Sequence, residues 1–150
     1  MGKLLISAIV TVNFLMIIAL LCFLYPRGVI ESPKDRIKAE DINIFKDHII
    51  INISDYGLRW ASIKNTDSML PVIDEGHHSI EVMPKNKDDI YIGDIISFKH
   101  NEKWIIHRVV EIKKDLNGIY YLTKGDNNKI NDGNKVRFEN ITGVVVGIIY

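Results

Sequence analysis

Cysteine is almost absent from this sequence. The single one, Cys22, lies inside an apolar run, which excludes a disulfide framework and any cysteine-based zinc site. An excess of either charge is absent too, since 19 Lys and Arg balance 19 Asp and Glu. No strong global field therefore points to nucleic acid or to anionic lipid. The basic residues are scattered and not interleaved with aromatics, so nucleic acid is not an expected partner. Internal repeats and low-complexity segments are also missing. At 150 residues the chain has room for one modest domain plus whatever lies at its N-terminus.

What is present begins with a long apolar run. "LLISAIVTVNFLMIIALLCFLY", Leu4 to Tyr25, carries no charge. As a helix it would rise roughly 33 Å, enough for a hydrocarbon core of about 30 Å. The apolar region of a cleavable signal peptide is shorter and ends in a small-x-small site, whereas this run ends in "LYPRGVIESP". The expectation is an uncleaved transmembrane anchor over 1–25, with the lipid bilayer as a partner. Lys3 is the one charged side chain before the span, while Arg27, Lys34, Arg36 and Lys38 follow it. Read literally, the positive-inside rule leaves the rest of the chain in the cytoplasm.

Residues 26–47 read as a juxtamembrane stalk. Within it "ESPKDRIKAEDINIF" predicts a short helix, capped by Ser32 with Pro33 in the first turn. A β-rich domain over 48–150 follows, opening on the β-branched "DHIIINIS". From Asp89 onward "YIGDIISFKH", "KWIIHRVVEIK", "GIYYLTK" and "ITGVVVGIIY" read as strands separated by turn residues. Their short spacing favours antiparallel pairing in a small barrel-like or sandwich-like domain. The expected fold class is mainly β behind one membrane helix.

Asn117-Gly118 predicts a tight hairpin between two of these strands. Such a turn sets His107 across from roughly Gly125 to Asn128, so "GDNN" lies beside the histidine. The chain then offers Ser68 ahead of a turn-forming proline, His107 in an apolar strand, and Asp126 and Asp132 in a Gly/Asn-rich loop. Serine attack on an amide carbonyl needs a base, and the base needs an acid to orient it. The hairpin places Asp126 nearer the histidine; a loop through Asn127 to Asn131 would have to fold back to bring Asp132 there. His77 and His78 are adjacent and would point to opposite sides of a strand, so no metal site is expected.

Four segments in order, "DSMLP", "YIGDIISF", "IIHRVVEI" and "YLTKGDNNKIND", resemble the conserved boxes of type I signal peptidases. The similarity is to the archaeal and endoplasmic-reticulum branch, which has histidine where the bacterial branch has lysine. The resemblance implies a membrane-anchored serine endopeptidase with its domain on the extracytoplasmic side, against the charge count. It implies Ser68 as nucleophile, His107 as general base and Asp132 as the acid that orients it. Asp126 becomes a supporting acid, and the Ser68 N–H with the Thr66 hydroxyl forms an oxyanion hole. The substrates implied are preproteins carrying signal peptides with small side chains before the cleaved bond, and no cofactor or metal is required.

Two features depart from that pattern. Asp67 stands where the family has glycine, which sets a charge near the developing oxyanion. The segment "VIDEGHHSIEVMPKNKDDI" is longer than a minimal core needs and reads as part of an altered substrate cleft. Two alternatives remain. Self-cleaving repressor-type peptidases of the same superfamily pair serine with lysine and cut an Ala-Gly-like bond, which this chain lacks. A catalytically silent, membrane-tethered β module that binds a partner is the other.

Overall fold

The computed structural model describes residues 16–17, 30–53 and 56–150. The expected anchor over 1–25 lies almost entirely outside them. Among the described residues no helix is long and apolar enough to cross a membrane.

The described chain is mainly β, and every strand pairing in it is antiparallel. β1 (Ile42–Ile44) and β2 (Ile49–Ile51) form a separate hairpin. The remaining strands are β3 (Leu58–Ser62), β4 (His78–Val82), β5 (Ile95–His100), β6 (Lys103–Asp115), β7 (Gly118–Lys124) and β8 (Ile141–Ile149). They form one six-stranded sheet in the order β3-β4-β8-β5-β6-β7. Alternating Ile, Val, Phe and Tyr on β5 to β8 build the main core. In it Ile96, Phe98, Val109, Tyr121 and Val144 are at most 1% exposed. Each such side chain contributes roughly 1.5–3 kcal/mol by leaving water. A second, smaller cluster joins Met69 and Ile73 to Ile95 and Val145.

Several expectations are corrected. Residues 31–36 form no helix or strand, residue 37 is a bend, and only a 3₁₀ turn at Ala39–Asp41 follows. The buried Asp94 carboxylate binds the Lys34 N–H and the Arg36 guanidinium, and these contacts outweigh local helix preference. The β1–β2 hairpin runs from Ile42 to Ile51.

The segment after Ser68 is not merely an insertion shaping a cleft, because His78–Val82 forms an interior strand of the sheet. Its buried face holds Ser79 and Glu81, both 0% exposed, so hydrophobic alternation does not announce it. Both Ser79 and Ser97 donate to Glu81 Oε1, at 2.9 and 2.6 Å. Gly143 on β8 leaves room for this carboxyl, since a Cβ there would sit 2.3 Å from Oε2.

The β6–β7 turn is displaced by one residue. Asp115 pairs with Gly118, so Leu116 and Asn117 form the loop, and positive φ occurs at Gly118 but not at Asn117. The Asp115 carboxylate accepts the Asn117 N–H at 2.9 Å, a local bond that stabilises this alternative. Arg108 pairs with Lys124, so His107 does lie at the level of Gly125.

Candidate active site

His107 and Arg108 are consecutive in β6, and strand geometry sends their side chains to opposite faces. That parity separates the two candidate acids. Arg108 grips Asp126 with a two-pronged contact, Nε to Oδ1 at 2.7 Å and Nη2 to Oδ2 at 2.6 Å. Its Nη1 donates to the Gly93 carbonyl at 2.8 Å. His107 instead faces Asp132, with Nδ1 2.7 Å from Oδ2. Asp126 therefore does not orient the histidine; it is consumed by the arginine next door.

The loop after β7 brings Asp132 back. Asn128 N–H donates to the Gly125 carbonyl at 2.9 Å, which closes a tight turn. The chain then runs antiparallel along the outer edge of β7, where Val136 and Tyr121 exchange both backbone hydrogen bonds. The Asp132 N–H reaches the Thr123 carbonyl at 2.8 Å. Thr123 is paired with Val109, two residues from His107 and thus on the same face. Its buried hydroxyl donates to Asp132 Oδ2 at 2.6 Å.

The serine arrives from the other side. Met69 and Ile73 anchor the turn at 68–73 in the smaller core cluster, with the Val72 and Ile73 amides bonded to the Met69 carbonyl. Ser68 precedes this anchor, and its Oγ lies 3.1 Å from His107 Nε2. The backbone is locked to the loop after β7, because the Ser68 carbonyl accepts the Asn127 N–H at 2.9 Å. Gly125 permits this approach: a Cβ there would meet the Ser68 carbonyl oxygen at 2.5 Å. The Asn127 side chain donates to the Asp67 carbonyl at 3.0 Å.

Thr66 Oγ1 lies 3.1 Å from Ser68 Oγ. Among the described residues, the Ser68 N–H donates to no protein acceptor. Asp67 has φ +54°, the left-handed region that glycine occupies freely and aspartate tolerates better than most residues. The conformation explains why glycine suits this position.

The electrostatics give each atom a role. Burial pushes the Asp132 carboxyl up, but the hydrogen bonds from His107 and Thr123 outweigh it and hold the group below its ordinary value. Asp132 is thus an acceptor at neutral pH. A carboxylate on Nδ1 requires a proton there, so a neutral His107 presents the lone pair of Nε2 to the serine hydroxyl. Ser68 Oγ, His107 and Asp132 form a continuous hydrogen-bonded line, with His107 buried and Ser68 and Asp132 partly exposed.

Of the residues expected from sequence, Ser68, His107, Asp132 and Thr66 converge and Asp126 does not. The sequence motifs give no role to Thr123, Gly125 and Asn127; the signal for Thr123 is its parity with His107 across the hairpin. His77 and His78 are occupied elsewhere: His77 Nδ1 accepts the Asp74 N–H at 2.9 Å, and His78 stacks on Trp60. Among the described residues no cluster of His, Cys, Asp and Glu could hold a metal. Comparison with known proteins finds no match to a family model, a curated protein or a solved structure.

Proposed function

We propose that this protein is a membrane-anchored serine endopeptidase of the signal peptidase I type, acting on preproteins with its β domain on the extracytoplasmic side. The observation that carries the reading is the line from Ser68 Oγ through His107 to Asp132. It joins three residues far apart in sequence, each lying in one of the motif segments. Ser68 Oγ attacks the scissile carbonyl carbon while His107 Nε2 takes its proton. Asp132 holds the Nδ1–H tautomer and stabilises the imidazolium. The Ser68 N–H and the Thr66 hydroxyl receive the negative charge that develops on the carbonyl oxygen. Collapse expels the amine, which leaves with the proton from His107, and water then hydrolyses the acyl-serine by the reverse roles.

The outer edge of β3 supports a place for the substrate. Leu58 to Ser62 has no strand on its far side among the described residues, and the chain leads from it directly to Thr66 and Ser68. An extended peptide can add to such an edge through its backbone. Leu58 and Trp60 are exposed along it.

The test uses detergent-solubilised protein and a preprotein carrying a small-x-small site. Wild type is compared with Ser68→Ala, His107→Ala and Asp132→Asn, each checked for folding. Cleavage by wild type that disappears in the Ser68 and His107 variants is the expected result. A folded wild type that neither cleaves nor takes an acylating probe at Ser68 would overturn the reading and leave a binding module.

A further inference from the structure

The segment between the apolar run and the β domain is fastened to the domain at several points. Arg36 lies across Asp94, Nη1 to Oδ1 at 2.8 Å and Nη2 to Oδ2 at 2.7 Å, and also donates to the Asp89 carbonyl. Both side chains are buried, at 7% and 0% exposure. Asp94 Oδ1 accepts the Lys34 N–H at 2.9 Å, and Oδ2 accepts the Tyr91 N–H at 2.8 Å. The Lys34 and Arg36 cations also lie over the Tyr91 ring. Just upstream, at Glu31 and Ser32, the fit is steric: a Cβ on Gly93 would stand 2.3 Å from the Ser32 carbonyl oxygen and 2.9 Å from that of Glu31. Arg108, already bound to Asp126, reaches the Glu31 carbonyl at 3.4 Å.

A flexible stalk needs none of this. An exposed ion pair contributes little, whereas a buried, two-pronged one with every carboxylate oxygen occupied holds a fixed geometry. The clamp also sits next to the site, because Gly93 and Asp94 lead into β5 and Arg108 adjoins His107. Only Pro26 to Ile30 separate the end of the apolar run from the clamped residues. Fully extended, five residues reach roughly 17 Å.

Resting on the proposed peptidase reading and its anchor, we propose that the Arg36–Asp94 clamp is a ruler. It fixes the height of Ser68 above the membrane and so selects how far from its apolar segment a preprotein is cut. Chain upstream of the clamp sets the reach of the enzyme; chain downstream of it does not.

This asymmetry is testable with the full-length protein in vesicles of phosphatidylcholine and phosphatidylglycerol. Preproteins would carry small-x-small sites at increasing distance from their apolar segment. Four Gly/Ser residues inserted between Val29 and Ile30 add up to about 13 Å of reach. The optimal spacing should then lengthen by roughly two to four residues. The same insertion between Ile37 and Lys38 should leave it unchanged. In the Arg36→Gln/Asp94→Asn double variant, which removes both charges together, the two insertions should become equivalent. Equal effects of the two insertions in an otherwise wild-type protein would overturn the ruler while leaving the peptidase intact. A wild type that cleaves nothing would overturn both. A readout independent of cleavage is amide hydrogen exchange: Lys34 N–H should be protected in wild type and exposed in the double variant. Exchange at the unstructured rate in wild type would refute the clamp.

Discussion

Replacing each loop acid by asparagine separates two effects that a single knockout would confuse. Asp132 accepts His107 Nδ1 at 2.7 Å and the Thr123 hydroxyl at 2.6 Å. Asparagine keeps the size and one acceptor but loses the charge that stabilises the imidazolium, and its amide can favour the wrong tautomer. The expected loss is roughly 10³–10⁴-fold in kcat, about 4–5.5 kcal/mol of transition-state stabilisation. Folding should suffer little, by about 1 kcal/mol, since one side of the interaction survives. Asp126→Asn does the reverse. It leaves Arg108 buried opposite a neutral amide, which costs about 3–5 kcal/mol of stability. The histidine partner is untouched, so kcat at a temperature where the variant is folded should stay within about tenfold of wild type.

The assay is cleavage of a preprotein in detergent, with thermal and urea unfolding of the same samples. Asp132→Asn should also alter the acid side of the stability curve. The Asp132 carboxyl is held below its ordinary 3.8, so its stabilising effect is full above that value and is lost as pH falls through the lower folded-state value. The variant lacks this loss, and the two stability curves should converge below pH of about 4. A lower kcat for folded Asp126→Asn than for folded Asp132→Asn would refute the assignment of the acids.

Gly125→Ala should be severe, because its Cβ would collide with the Ser68 carbonyl oxygen at 2.5 Å; loss of at least about 2 kcal/mol in urea unfolding, with cleavage reduced, is expected. Thr123→Val removes the buried donor to Asp132 while keeping shape, so kcat should fall about tenfold with KM unchanged, and Thr123→Ser should restore it. Burial, helped by the Asp88 charge, pushes the Tyr121 hydroxyl up to about 12 from 10.0. The unfolded chain thus ionises first, and wild-type stability should fall between those pH values, whereas Tyr121→Phe should fall less over the same range in pH-dependent urea unfolding.

Local pattern made most of the chemistry legible. β5 to β8 show as β-branched and aromatic runs because their inward faces are apolar, and the order of the motif segments marked Ser68, His107 and the pair Asp126 and Asp132. The strands β3 and β4 stayed hidden. The interior of β4 is Ser79 and Glu81, and nothing local tells a buried glutamate held by two serines from a solvated one. The irregular path of residues 31–37 was unreadable for a similar reason. Helix propensity in "SPKDRIKAED" is real, but it is worth tenths of a kcal/mol per residue. A buried carboxylate from Asp94, some 60 residues later, outweighs it.

The sequence by itself marked Ser68, His107 and two candidate acids for the proposed site, and it indicated the antiparallel β character of the later chain and the hairpin that brings His107 level with Gly125. Only the tertiary structure decided between the acids. Strand parity turns His107 and Arg108 to opposite faces, and the return of the chain along β7 carries Asp132 to one face and leaves Asp126 on the other. Which of two carboxylates six residues apart serves a histidine depends on where the loop's backbone hydrogen bonds close, and those partners lie on another strand.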